Sequence, residues 1–253
     1  MQRLPLATAR VLDLSLRGAA GYCARLLGDA GAEVIGVEGW NSESIDRTPA
    51  FDQLNRNKLA CTLDPAQPEG PRLLLRLVAR CDAAVAGLPL PAGLTEELLR
   101  FARADLALIL VRDWQPAASA LHPYDVVAGT IAAGAAFAAL FERRNTGEGQ
   151  RVEVDAADCV RSFRPYEGKK PLDEPSLRLP SQQAILADSD LHARGFFETV
   201  SSLQGTQEMP RTPWRLSRTP MHVRLPAPSP GEHNRYVFGE LLGLPNNGGA
   251  GKT

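Results

Sequence analysis

No uninterrupted apolar run in this chain reaches the ~18 residues that a membrane-spanning helix needs, so no membrane partner is expected. The opening stretch, MQRLPLATARVLDL, has no long apolar core of the kind a secretory leader carries. It leads straight into what reads as a first strand, and the expected location is the cytoplasm. Excess charge of one sign is missing too. Lys and Arg number 28 against 29 Asp and Glu, a formal net charge of −1. That balance gives no electrostatic case for a nucleic-acid or anionic-membrane surface. The four cysteines, Cys23, Cys61, Cys81 and Cys159, lie far apart and form no C-x-x-C pair. Zinc and dithiol readings are therefore weak, and buried structural thiols are expected. There is no internal repeat. An apolar fraction of 44% and a charged fraction of 23% remain, ordinary values for a globular chain long enough to bury a core in one or two domains.

Up to about residue 155 the pattern alternates strand and helix. Apolar runs suited to buried strands occur at 10–14, 33–38, 59–63, 83–86 and 106–111, the last reading LALILV. Helical spacing occurs at 18–30, 69–80 and 95–104. Thr95 is a candidate N-cap, followed by Glu96 and Glu97 where the helix dipole favours acids. Strands that are apolar throughout, separated by helices, predict an α/β fold with a doubly wound, mostly parallel, Rossmann-like sheet. Residues 159–183 read as a proline-rich linker and 184–245 as a second patterned segment that returns to the sheet. Within it a short helix is expected near 234–242. The last residues, 246–253, read as a frayed tail.

The stretch DVVAGTIAAGAAFAALFERRNTGEGQRVEV, 125–154, carries the most chemistry. Asp125 opens a long helix with a small-residue face. A glycine-containing turn and a strand follow. Taken alone, Asp125 reads as an ordinary first-turn acid stabilised by the helix dipole.

The segment resembles the nucleophile-bearing region of the family III CoA-transferases (the CaiB/BaiF type). There an aspartate opens a helix ending in AL..R..TG.GQ, and here Ala139-Leu140, Arg143, Thr146-Gly147 and Gly149-Gln150 stand at matching spacings. Other blocks resemble the same family in the same order: VLDLS with ARLLGDAGAEVIGVE, then LNRNKLACTLD, DSDLHARGFFETV, and RLSRTP with APSPGEHN. The chain also departs from the pattern. Ala20-Gly21 stands where the family carries Gly-Pro, and AGLPLP (86–91) replaces an Asn- and aromatic-containing CoA motif. Gly39 occupies a position that is often basic. The stretch between 111 and 125 is short, and the family's small domain is largely missing between about 159 and 183.

The resemblance implies residues 1–158 as a CoA-transferase large domain and coenzyme A or acyl-CoA as substrate. It also implies a carboxylic acid acceptor and a homodimer, or a heterodimer with a related chain. Asp125 would attack the acyl thioester carbonyl to form an anhydride, which the thiolate would convert to an aspartyl thioester. Arg17, Arg47, Arg56 and Lys58 are the candidate cations for CoA phosphates, with solvated loop charge as the alternative. A carrier-protein thioester is an alternative donor. An inactive homologue serving a full-length transferase is an alternative function. His122, three residues before Asp125, opens a weaker third reading as an acyl-thioester epimerase or racemase, against a plain surface histidine. The terminal GAGKT is not a phosphate loop: Asn246 stands where the motif needs its first glycine, and the chain printed ends at Thr253 with no following helix.

Overall fold

The computed structural model describes residues 3–39, 47–113, 122–162, 181–202, 205–212 and 214–245. Most of the expected linker (163–180) and the tail (246–253, with GAGKT) lie outside the described residues.

Alternating elements build the first part of the chain. They are β1 (Arg10–Asp13), α1 (Gly18–Asp29), β2 (Glu33–Glu38), α2 (Pro49–Asn55), β3 (Lys58–Thr62), α3 (Glu69–Val78), β4 (Ala83–Gly87), α4 (Glu96–Ala102), β5 (Ala107–Arg112), α5 (Pro123–Thr146), β6 (Arg151–Asp155) and α6 (Ala156–Ser162). The six strands form one sheet in the order β3-β2-β1-β4-β5-β6. Every neighbouring pair is parallel. The doubly wound α/β fold expected from the strand–helix alternation is what the chain adopts. Between β1 and β4 the winding reverses direction. In open sheets of this kind that reversal leaves a crevice outside the C-terminal strand ends.

Strand alternation sorts the core into two layers. Val11, Val34, Val85 and Ile109 face α1 and α5, whereas Leu12, Ile35, Ala84 and Leu108 face α3 and α4. The four cysteines are free and buried, as expected, and burial pushes the Cys23, Cys61 and Cys81 thiols up, so they are inert packing groups.

α5 is the longest helix, and its ends are written in its sequence. His122 is the N-cap and Pro123 stands in the first turn; the Asp125 carboxylate closes a capping box onto the His122 N–H. Gly147 ends the helix in the left-handed region, φ 78°, and donates its N–H to Arg143 O. By length and composition alone, α5 is long and apolar enough to cross a membrane. Here its Ala128, Ala132 and Ala136 face is buried against α1 and the sheet. Gly129 makes the approach close: a Cβ there would fall 2.6 Å from Ala19 O and 2.9 Å from Tyr22 Cβ.

One feature departs from the sequence-based expectation. α2 was not anticipated, although Thr48 caps it by accepting the Phe51 N–H and Pro49 begins it. Among its described residues the C-terminal segment adds no strand to the large sheet. After α7 (Gln182–Leu186) and α8 (Ser189–Ala193), β7 (Phe197–Ser202) and β8 (Gly205–Pro210) form their own antiparallel hairpin. The chain then runs along the outer edge of β3. Asn57 N–H donates to Leu225 O (3.0 Å) and His233 N–H to Ala60 O (2.9 Å). The Ala60 and Thr62 N–H groups donate to the side chains of His233 (3.2 Å) and Asn234 (2.9 Å). A π-helical turn, Arg235–Leu241, closes the segment over the α3 layer.

Candidate active site

The C-terminal ends of β1, β4 and β5 meet the N-termini of α1 and α5 in one place. The β1–α1 turn is held from below. Asp13 is fully buried, and its Oδ1 accepts from the Ser15 N–H (3.0 Å) and the Leu16 N–H (3.1 Å). Its Oδ2 accepts from Lys58 Nζ at 2.7 Å. The same ammonium donates to Gly21 O and Asn55 Oδ1, both at 3.0 Å, so its three donors are spent. Burial pushes the Lys58 ammonium down, and the Asp13 charge opposes that shift. Leu16 sits at φ 58° and Gly18 at φ 54°, which turns the chain sharply enough to aim the first amides of α1 at the crevice.

Those amides are met by Asp113, the residue that follows β5. The Ala19 N–H donates to Asp113 Oδ1 at 2.9 Å. The carboxylate lies directly over Gly18, where a Cβ would fall 2.6 Å from Asp113 Oδ2. Gly87, at the end of β4, leaves room on the other side. Its missing Cβ would stand 3.5 Å from Ser15 Oγ and 3.8 Å from Asp113 Oδ2. Desolvation pushes the Asp113 carboxyl up to about 6, helped by the charge of Asp125 and opposed by the Ala19 and Ala20 N–H groups.

Asp125 enters from α5 and is 3% exposed. Its Oδ2 accepts the His122 N–H at 3.0 Å. Its Oδ1 is buried and has no hydrogen-bond partner among the described residues. A satisfied capping carboxylate would not carry such an oxygen, because a buried unpaired acceptor costs about 1–3 kcal/mol. Gly129, one turn later on the same face, touches Ala19 and places Asp125 beside the α1 N-terminus. The imidazole of His122 does not serve Asp125: its Nδ1 accepts the Tyr124 N–H at 3.2 Å, and its ring stacks edge-on against Tyr124 at 4.7 Å.

The four candidate cations are not brought together. Arg17 occupies the N-cap position of α1, half-buried at the site. Arg47 pairs with Glu38 at 2.6 Å, donates to Pro228 O and lies 4.7 Å over the Phe51 ring, near the end of β2. Arg56 is fully buried at the far end of α1, where it pairs with Asp29 at 2.9 Å and donates to Pro210 O. Lys58 is 1% exposed beneath the β1–α1 turn. The expectation that Arg56 and Lys58 meet phosphates does not fit this placement, because neither charged group reaches a surface and both are satisfied internally. Among the described residues no cluster of His, Cys, Asp and Glu could hold a metal ion.

Sequence reasoning missed Asp113. Its one sequence signal is position: an acid directly after the most apolar strand, at the sheet edge where ligands bind in this fold class.

Known proteins resemble this chain in sequence and in fold. The family profile described as CoA-transferase family III matches residues 6–109, 111–167 and 173–234. A probable CoA-transferase of Mycobacterium tuberculosis, Rv1866, is 30% identical over 207 residues, covering 62% of this chain and 26% of that protein. The succinyl-CoA–D-citramalate CoA-transferase of Chloroflexus aurantiacus is 30% identical over 201 residues, 62% of this chain and 50% of its own length. The chain thus spans half or less of these relatives' length. A solved CaiB/BaiF family protein from Brucella suis shares the fold, with a TM-score of 0.77 at 18% identity over 95% of this chain and 100% of that one. With the profile matched along most of its length, the chain belongs to CoA-transferase family III.

Proposed function

We propose that this chain is a CoA-transferase that moves an acyl or CoA group between an acyl thioester and a carboxylic acid through Asp125. The observation that carries the reading is the buried Oδ1 of Asp125 at the C-terminal edge of the sheet, which has no partner among the described residues. A carboxylate oxygen without a donor is free to attack a carbonyl carbon. Attack on the thioester forms a C–O bond and breaks the C–S bond, giving an aspartyl anhydride and a thiolate. The thiolate then takes the aspartyl carbonyl, releases the acyl group as its carboxylate and leaves an aspartyl thioester. An incoming acid repeats the two steps in reverse and departs as the new thioester. Residues 1–158 supply this large domain, and 184–245 close its β3 edge. A carrier-protein thioester is the alternative donor, because two of the four candidate cations are spent inside the fold. The same observation supports a second reading, an inactive homologue that assists a related transferase in a mixed dimer.

The test is intact-protein mass spectrometry after exposure to a panel of acyl-CoAs and carrier-bound thioesters, quenched with hydroxylamine. Hydroxylamine converts an aspartyl anhydride or thioester to a stable hydroxamate. A hydroxamate at Asp125 that disappears in Asp125→Ala supports the transferase. An unmodified chain across the panel sinks it and leaves the assisting role.

A further inference from the structure

We propose that this chain carries a second ligand site, away from Asp125, for a small organic anion: an oxyanion head on a flat apolar body, the size of an aryl acid. The site is the cavity between the open end of the β7–β8 hairpin and the chain that follows β8. The inference goes beyond the transferase reading and does not depend on it.

Three segments build the walls. Arg194 follows α8, and Gly195 at φ 61° turns the chain into Phe196, just before β7. Arg211 follows β8, and its N–H donates to Phe196 O at 2.8 Å, closing the end of the hairpin. Trp214, Arg215 and Met221 complete the enclosure. The cavity measures about 230 Å³. At roughly 30 Å³ per water that is room for about eight waters, or for an organic group of about ten non-hydrogen atoms.

The walls are sorted by chemistry. Phe196, Trp214 and Met221 form the apolar side. The Trp214 indole N–H donates to Met221 Sδ at 3.2 Å, Met221 is buried, and Trp214 packs against the core layer of α1 and α5. A ring fixed in this way offers an ordered apolar surface that a ligand need not immobilise.

Arg194, Arg211 and Arg215 form the polar side, and among the described residues no carboxylate lines the cavity. Arg211 pairs at 2.5 Å with Glu198, which is not a lining residue. Glu198 is shared further: it accepts the Val223 N–H at 2.7 Å and meets the His222 ring at 2.6 Å. Arg211 Nε is buried and has no hydrogen-bond partner among the described residues. Among those residues no carboxylate pairs with Arg194 or Arg215. Three guanidiniums against one shared carboxylate concentrate positive charge at this cavity, in a chain whose net charge is −1. Guanidinium forks match the oxygens of carboxylates and phosphates, and the aromatic wall takes the body of the same molecule.

The site is separate from Asp125. The chain that forms it is tied to the C-terminal end of α1. Arg56 pairs with Asp29 and donates to Pro210 O at 2.6 Å, Asn57 donates to His222 O at 3.2 Å, and Arg224 donates to Gly28 O at 2.7 Å. The opposite end of α1, where Ala19 meets Asp113, is a helix of 12 residues away. That is about 18 Å at 1.5 Å per residue, beyond the reach of a ligand this size.

The experiment follows the indole N–H signals of the 15N-labelled full chain by NMR. The chain has three tryptophans, and Trp214→Phe identifies the signal of Trp214. Phenylacetate and phenyl phosphate are the probes; neutral phenylacetamide and inorganic phosphate are the controls for charge and for the ring. At least one probe is expected to move the Trp214 signal saturably, with half-saturation at about 1 mM or below. The tighter probe names the head as carboxylate or phosphate. Each control is expected to bind at least ~10-fold more weakly. The double variant Arg194→Gln, Arg215→Gln changes two exposed side chains and is expected to weaken both probes by about 10-fold or more. Arg72→Gln, an exposed arginine on α3, is expected to change nothing. No saturable shift with either probe, a control that binds as tightly as the probes, or undiminished binding in the double variant overturns the site. None of these readouts needs turnover, so a failure of the transferase reading leaves this test standing.

Discussion

Asp113→Asn is expected to make the fold more stable in mild alkali and to leave it nearly unchanged in acid. In the folded chain the Asp113 carboxyl is raised from its ordinary 3.8 to about 6, first by desolvation and then by Asp125. The folded state therefore holds this proton more tightly than the unfolded state does, and ionising Asp113 works against folding. The interval between 3.8 and about 6, at about 1.4 kcal/mol per pH unit, comes to about 3 kcal/mol. This penalty is absent below pH 3.8, builds as pH rises to 6 and is complete above it. Asparagine removes the ionisation and keeps an acceptor for the Ala19 N–H. The charge assistance of that bond is already contained in the shift. The net gain is about 3 kcal/mol at pH 8, fading to about zero at pH 4. Urea unfolding of both proteins at pH 4, 6 and 8 reads it directly. A difference that does not change with pH, or a loss that grows toward pH 8, would refute the reasoning.

Two further changes probe the scaffold. Lys58→Met leaves the Asp13 carboxylate buried without its counter-charge, and urea unfolding should show a loss of about 3–5 kcal/mol; a loss below about 1 kcal/mol would mean the turn is held by the Ser15 and Leu16 amides alone. Gly129→Ala drives a methyl into Ala19 O and Tyr22, so α5 must move off α1, and thermal unfolding should report a loss of about 1–3 kcal/mol.

Local signals made much of the fold legible. β2 runs over Glu33–Glu38 as its apolar run dictates, and α4 starts after Thr95, whose side chain accepts the Leu98 N–H. α5 ends where Gly147 permits the left-handed turn. α2 was missed although Thr48 and Pro49 announce a helix start, because seven residues are too few to show a periodicity. The site was legible only where chemistry and position coincide in one residue. Asp125 carries its own context in the helix that follows it. Asp113, 94 residues later in the chain than Ala19, becomes meaningful only when β5 brings it onto the α1 amides. Arg56 and Lys58 misled for the same reason. A cation in a polar turn looks solvent-borne until long-range packing supplies Asp29 and Asp13.

The two rims of the sheet are protected by unlike means. Along β3, the side chains of His233 and Asn234 take up the amides that a seventh strand would bind. Along β6, alternate outward charges, Arg151 and Glu153, line the rim and pair with one another at 2.6 Å. Neither border invites strand addition, so a second chain that joins this one must do so through side-chain surfaces rather than by extending the sheet. The protection of β3 is also borrowed from the far end of the polypeptide: cutting the chain before His233 would leave the Ala60 and Thr62 amides bare and turn a closed border into a template for aggregation.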